Sequence, residues 1–130
     1  MPWELQIRRA DGQPLGDREA DKQGIARAFK GIQFLWNPSG PEKIAAAAKV
    51  GIEFPEVLRK HFETAPSTEQ GDYDAAEWSI QFHLGCERTL TDLDADVRGE
   101  TGQAIPILQR MATLNQWTVS EHGAKEPCIT

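Results

Sequence analysis

Three aspartates, Asp92, Asp94 and Asp96, alternate with apolar residues and form the most conspicuous polar pattern of the chain. On a β-strand, alternate side chains point to one face, about 6.6–6.8 Å apart at successive positions. A calcium-binding loop that begins at Asp92 requires glycine where Val97 stands and glutamate where Gln103 stands. The register that begins two residues later places an arginine and an isoleucine at ligand positions. We therefore predict that the three aspartates form a solvent-facing acidic stripe, which either protects the sheet against edge aggregation or faces a basic partner.

Two histidines and two cysteines are the other candidates for metal or nucleophile chemistry: His83, Cys86, His122 and Cys128. They provide the two nitrogen and two sulfur ligands that tetrahedral zinc accepts, but only the spacing of His83 and Cys86 is typical of such a site. Neighbouring positions at a strand end do not establish the short contact that a cysteine nucleophile needs with its base. Because cysteines of intracellular proteins are usually small apolar packing residues, we expect no metal, no cofactor, no catalytic residue and no disulfide.

A second group of polar residues, which includes Glu53 and His61, lies on the segment 37–63. Together with Trp36, these residues can line a small-molecule pocket between that segment and the sheet. The local alternative is that the glutamates beside Pro55 favour a helix N-terminus and that His61 lies on the solvated side of the helix. Trp36 directly precedes a rigid Asn-Pro-Ser-Gly loop, so it is either a binding hot spot or an apolar cap on the core.

The elements that position these residues follow from apolar periodicity and from capping and turn residues. Period-2 alternation predicts strands, whereas an apolar stripe at helical spacing predicts helices. In chain order we predict a strand over 3–7, a helix over 18–29 with Asp17 as N-cap, a strand over 32–36, helices over 42–50 and 55–62, strands over 78–84 and 89–97, a helix over 106–114, a strand from 117 and a short edge over 127–129. We also predict a polar loop over 65–70, a bulge near Thr91 and Asp92, and a left-handed cap at Asn115.

The order β-α-β-α-α-β-β-α-β predicts an α+β fold with a single-layer mixed or antiparallel sheet of about five strands and helices packed mainly on one face. The first strand, helix and strand form a compact βαβ-like unit, and we expect its second strand to be more buried than its first. The strands over 78–84 and 89–97 form a β-hairpin. A chain of 130 residues has the size of one domain, which we assign to 1–130.

The charge balance narrows the choice of partners. The chain contains 20 acidic and 14 basic residues, which gives a net charge of −6. Because an acidic surface repels phosphate groups, we expect no nucleic-acid partner. No segment approaches the ~20 apolar residues that cross a bilayer, and the N-terminal residues lack the features of a signal peptide. We therefore expect no membrane association and a cytoplasmic location.

The segment from Leu108 to Val119 has the pattern Leu-x-x-Met-Ala-x-Leu-Asn-x-Trp-x-Val. It resembles a helix–turn–strand ending of many small bacterial proteins, among them immunity proteins of toxin systems and domains of unassigned function. The matching residues are packing and turn residues, so the resemblance transfers no catalytic position. It implies a bacterial origin and a small partner-binding protein.

Three functions remain open from the sequence. The first is a non-enzymatic protein-binding module, in particular an immunity-like inhibitor that holds a basic partner with the acidic stripe and Trp36. The alternative is a small-molecule-binding protein or small enzyme with a pocket near the 37–63 segment that uses Glu53 and His61. The third is a subunit that associates through a sheet edge. The sequence leaves the oligomeric state open.

Overall fold

The computed structural model describes residues 2–124 and 126–129. Within these residues, four α-helices accompany a six-stranded sheet and a separate two-stranded sheet, so the predicted α+β class is confirmed. In chain order the elements are β1 (Trp3–Arg9), β2 (Gly16–Asp17), α1 (Arg18–Ala28), β3 (Gln33–Asn37), α2 (Gly40–Lys49), α3 (Glu56–Phe62), β4 (Thr68–Asp74), β5 (Trp78–Gly85), β6 (Thr89–Leu90), β7 (Leu93–Gly99), a 3-10 turn (Thr101–Gln103), α4 (Ile105–Asn115) and β8 (Trp117–Glu121).

The large sheet has the strand order β3-β4-β5-β7-β1-β8, and every neighbouring pair is antiparallel. The expected βαβ-like unit is therefore wrong, because β1 pairs with β7 and β8 whereas β3 pairs with β4. Strand β1 is an inner strand between β7 and β8, and its Leu5 and Ile7 side chains are fully buried on one face of the sheet. The expected hairpin between β5 and β7 is confirmed as an antiparallel pair.

Strand β3 was expected to be more buried than β1, and the structure shows the opposite. It forms one edge of the sheet, and its Leu35 and Trp36 side chains are 49% and 54% exposed. Its neighbour β4 includes residues that the sequence assigned to a polar loop. That prediction fails because the core-facing positions of β4 are Glu69, Gly71 and Tyr73, which show no apolar alternation. Gly71 is required there, since a Cβ atom would come within 2.8 Å of the Phe34 ring.

Two further local predictions are corrected. The single bulged strand over 89–97 is instead divided at Thr91 and Asp92, where the apolar parity changes, and its first part pairs with β2. The left-handed residue after α4 is Gln116, with φ of 58°, and not Asn115. The Asn115 amide instead donates to the carbonyl oxygens of Gly24 and Met111, at 3.0 and 2.9 Å, and so joins α4 to α1.

The core lies between one face of the sheet and helices α1 and α4, and we call this face the core face. Phe29 is fully buried at the end of α1 and packs edge-on against Tyr73 and Phe82, with ring centroids 5.4 and 5.2 Å apart. Burial of a side chain of this size contributes roughly 1.5–3 kcal/mol. The fully buried side chains also include Leu5, Ile7, Ile25, Phe82, Leu93, Val97, Leu108, Met111 and Val119.

The helices begin and end where local chemistry requires. The predicted N-cap of α1 is confirmed, since the Asp17 carboxylate accepts a hydrogen bond from the Ala20 amide at 3.3 Å. Helix α2 begins with a reciprocal capping box between Ser39 and Glu42 and ends before Gly51, whose φ is 80°. Helix α3 has no buried residue. Among the described residues, none of the helices has the length and apolar character needed to cross a membrane.

Candidate functional site

The sheet face opposite the helices is polar, and we call it the open face. On β7 it presents Asp94 and Asp96, whose side chains are 51% and 25% exposed. Asp92 precedes β7, and its Oδ2 atom accepts a hydrogen bond at 2.8 Å from Nε2 of Gln6, which occupies the open face of β1. The three aspartates of the predicted acidic stripe therefore lie on one side of the sheet.

Further carboxylates that the sequence analysis did not single out join the acidic stripe. Glu4 occupies the open face of β1, and Asp72 and Asp74 occupy that of β4. The alternation of β1 gave a signal for Glu4, but the two β4 aspartates gave none because that strand was not predicted. Two arginines, Arg8 and Arg98, share the same face. Six carboxylates thus outnumber two guanidinium groups on one side of the sheet.

Two histidines extend toward the acidic stripe from neighbouring segments. His83 Nε2 lies 2.9 Å from Asp96 Oδ2, and His122 Nδ1 lies 3.9 Å from Asp94 Oδ1. These contacts pair each imidazole with one carboxylate. From the sequence, both histidines were candidate metal ligands and His83 was also a candidate base for Cys86, but neither was expected beside the aspartates.

The cysteines do not join the histidines. Cys86 and Cys128 are both exposed and unlinked, and partial burial raises the pKa of the Cys128 thiol, which disfavours a reactive thiolate. Among the described residues, no group of three or more His, Cys, Asp and Glu side chains is arranged to hold a metal ion.

A chain of side-chain hydrogen bonds fixes one half of the open face. Asn37 Nδ2 donates to Gln70 Oε1 at 2.8 Å, and Gln70 Nε2 donates to Asp72 Oδ2 at 3.1 Å. Gln81 Nε2 donates to the other Asp72 oxygen, Oδ1, at 3.0 Å. This network links side chains of β3, β4 and β5, while the Asp72 carboxylate retains acceptor capacity toward solvent.

Two shallow depressions lie side by side on the open face, with volumes of about 280 and 200 Å³. Asp96 contributes to both of them. The larger is lined by Asp72, Asp74, Ser79, Ile80, Gln81, Asp96 and Arg98, and the smaller by Glu4, Leu5, His83, Asp94, Asp96 and His122. Because carboxylates dominate both linings, each depression suits a cationic side chain.

Trp36 is not part of this surface. Its parity on β3 is that of Phe34, which packs on the core face, and its ring lies 5.1 Å from the guanidinium carbon of Arg18 at the start of α1. Lys22, one turn further along α1, stacks in the same way on Phe34 at 4.9 Å. The structure therefore separates Trp36 from the acidic stripe, although the sequence analysis grouped them in one partner-binding site.

Beside Trp36 lies a buried charged cluster that the sequence analysis did not find. The Glu69 carboxylate lies 2.7 Å from Lys22 Nζ and 3.8 Å from an Arg18 nitrogen, the latter beyond hydrogen-bond distance. The Arg18 guanidinium also donates to the carbonyl oxygen of Glu87. The cluster borders a cavity of about 570 Å³ lined by Asp17, Arg18, Glu19, Cys86 and Arg88. Arg18 contacts the Glu87 carbonyl oxygen and the Trp36 ring and lies close to Glu69, so the cluster joins α1 to the sheet. Among the described residues, Arg18 Nε and Glu69 Oε1 have no hydrogen-bond partner.

The residues of the small-molecule alternative are not brought together. Glu53 contributes to a cavity of about 190 Å³, and its described lining comes from the segment 44–59. That lining includes neither His61 nor Trp36. His61 is exposed and places its ring edge-on to Phe62, with centroids 5.6 Å apart.

No protein-family model, no curated protein and no solved structure matches the chain. Its function is therefore inferred from the geometry and the charge of its own surfaces.

Proposed function

We propose that this protein is a non-enzymatic binding module that holds a basic protein surface against its open face. The observation that carries the proposal is the convergence of six carboxylates from β1, β4, β7 and the residue before β7 on a face that the helices leave uncovered. The acidic stripe alone supplies three of them.

Electrostatics and shape both support a cationic partner. Carboxylate bonds to lysine or arginine are charge-assisted, and a face of one dominant sign accelerates the encounter with a partner of opposite sign. The two depressions offer adjacent positions for two basic side chains, with Asp96 between them. The network around Asp72 orders that half of the face before binding, which lowers the entropy lost in the complex.

A narrower form of the proposal is that the partner is a toxin and this chain its immunity-type inhibitor. Its support is the acidic face together with the resemblance of the 108–119 segment to small bacterial immunity proteins. Inhibition by an immunity protein requires that the partner's own functional surface be basic, because the open face is complementary only to cations.

The direct test compares two variants that lose the same formal charge. The first, D92N/D94N/D96N, neutralises the acidic stripe, and the second, E53Q/E56Q/E63Q, neutralises three exposed glutamates of the segment around α3. The probe is a fluorescently labelled nona-arginine peptide, whose binding is followed by anisotropy at low and at high salt. We expect the first variant to bind roughly tenfold more weakly than the unmodified chain at low salt, and the second to bind within about twofold of it.

Two results would contradict the proposal. Equal losses in both variants would mean that the peptide senses net charge and not the open face. Binding that does not weaken with added salt would mean that charge does not drive it.

The same three chains then serve as baits in a bacterial lysate. A genuine partner is captured in stoichiometric amount by the unmodified chain and the control but not by the acidic-stripe variant.

A further inference from the structure

The two edge strands of the six-stranded sheet differ in whether another segment pairs with their outer side. At β8, the segment 127–129 returns along the strand, and Val119 exchanges backbone hydrogen bonds of 2.8 and 2.9 Å with Ile129. At β3, no described segment pairs with the outer side of the strand. The half-exposed Leu35 and Trp36 lie on that uncovered edge.

Strand β3 also lacks the features that keep an edge from recruiting another strand. Proteins usually protect such edges with charged side chains, proline or a bulge. The strand reads Gln-Phe-Leu-Trp-Asn, with no charge and no proline, and the one register shift nearby lies between β4 and β5. Its outward N–H and C=O groups are therefore available to a further strand.

We propose that β3 pairs antiparallel with β3 of a second copy of this chain, about a two-fold axis at Leu35, so that two six-stranded sheets become one. Cyclic two-fold dimers are the commonest symmetric assemblies of soluble proteins. The interface is isologous, and each half contributes the same five residues.

The strand is chemically complementary to itself in this register. Leu35 faces Leu35 of the partner subunit at the axis, and Phe34 faces Trp36 of the partner subunit on the core face. Gln33 faces Asn37 of the partner subunit at each end, where two side-chain amides can exchange hydrogen bonds. Cross-strand aromatic and apolar pairs of this kind stabilise sheets, and no like charges oppose one another.

Charge also selects a second copy over the basic partner of the open face. The edge presents no carboxylate to a cationic strand, so it offers such a partner no electrostatic gain. The cations that stack behind the strand, Arg18 and Lys22, are both close to the buried Glu69 carboxylate, which reduces the repulsion between the two subunits. The dimer therefore joins the molecules at their uncharged edge and leaves both open faces free.

The test uses charge exchange at the axis, with sedimentation velocity from about 1 µM to 1 mM as the readout. The unmodified chain should approach twice its 14.5 kDa mass as its concentration rises. L35K and L35E should each remain monomeric, because two like charges meet at the axis. An equimolar mixture of L35K and L35E should recover the dimer, since opposite charges then face each other. V57K is the matched control, because Val57 is 82% exposed on α3, and it should dimerise as the unmodified chain does.

Each alternative outcome overturns the proposal. A monomeric unmodified chain at the highest concentration would exclude the dimer. If dimers form but the mixture of L35K and L35E stays monomeric, the interface is not centred on Leu35. Loss of the dimer in V57K would place the interface on the α2–α3 segment instead.

Circular dichroism and thermal melting confirm that each variant is folded, which we expect because Leu35 is half exposed.

Discussion

The two faces of the six-stranded sheet place carboxylates in different environments, buried on one and exposed to solvent on the other. On the core face, Glu69 is almost fully buried beside two cations, and Asp21 of α1 is buried with one oxygen that has no hydrogen-bond partner among the described residues. On the open face, Asp94 and Asp96 keep contact with solvent. An acidic residue on the core face therefore affects stability, whereas one on the open face is available for binding.

The largest effect should come from the apolar part of the core face. Phe29→Ala removes a fully buried ring that contacts three other aromatic rings, and we expect it to lower the free energy of unfolding by about 3–5 kcal/mol. Phe54→Ala is the matched control, because its ring packs against Phe62 in a partly exposed position. Urea denaturation measures both, and equal losses would contradict the placement of the core.

Removal of the buried carboxylate should have the next largest effect. Glu69→Gln removes the buried carboxylate that Arg18 and Lys22 share and leaves Lys22 only its partly exposed pair with Glu19 at 3.5 Å. We expect a loss of about 3 kcal/mol in the free energy of unfolding. The control is Glu56→Gln, which breaks an exposed pair with Lys60 at 4.0 Å and should change stability by less than about 0.5 kcal/mol. A Glu69→Gln variant as stable as the control would show that the cluster is not a structural link.

The ionisation of Asp21 should make the free energy of unfolding depend on pH. Burial, and next the charge of Asp17, raises its pKa from 3.8 to about 6, so the folded chain binds this proton at a higher pH than the unfolded chain does. Its ionisation therefore makes the folded state less stable as pH rises from about 4 to about 6, and the full cost persists above that range. We expect Asp21→Asn to raise stability by about 1–3 kcal/mol at pH 7 and to change it little below pH 4.

Denaturation of the Asp21→Asn variant across this pH range measures the effect. Glu19→Gln, an exposed carboxylate on the same helix, should produce no such pH-dependent gain. A gain in the Asp21 variant that is equal at all pH values would mean that the ionisation of the carboxyl is not its source.

The smallest effect on stability should come from the open face. D92N/D94N/D96N removes three charges but no buried group, so we expect its free energy of unfolding to stay within about 0.5 kcal/mol of the unmodified chain. The same variant should show the large loss in binding described above. A collapse in stability would assign the acidic stripe to the structure of the sheet and remove the main support for a binding role.

The parts of the fold that were predictable are those with local periodicity. The buried strand β5 and the capped helix α1 are visible because their apolar spacing and their caps lie within a few residues. Strand β4 was not visible, because its core-facing positions are a glutamate that needs Arg18 and Lys22, a glycine that makes room for Phe34, and a tyrosine. Such residues fit a core-facing strand position only when segments distant in the sequence pack beside them.

The residues of the candidate site also differ in how far the sequence could predict them. The acidic stripe is a contiguous sequence pattern, so it could be predicted together with its shared face. Its histidines and the aspartates of β4 could not, since they reach it through strand pairing between distant segments. Trp36 was assigned to the binding surface on its position before a loop, but its parity on β3 places it on the core face, opposite the stripe.

Strand β1 pairs only with strands that lie far along the chain, which affects how the protein folds during synthesis. Its neighbours are β7 and β8, and the pairing joins Trp3 to Val97 and Arg9 to Trp117. While the chain is being synthesised, Leu5 and Ile7 have no strand to pair with until most of the sequence has left the ribosome. Because these paired strands are far apart in the sequence, we expect folding to be slow, in roughly the millisecond-to-second range. Strand β1 is thus translated well before both of its partners and stays accessible to chaperones until they follow.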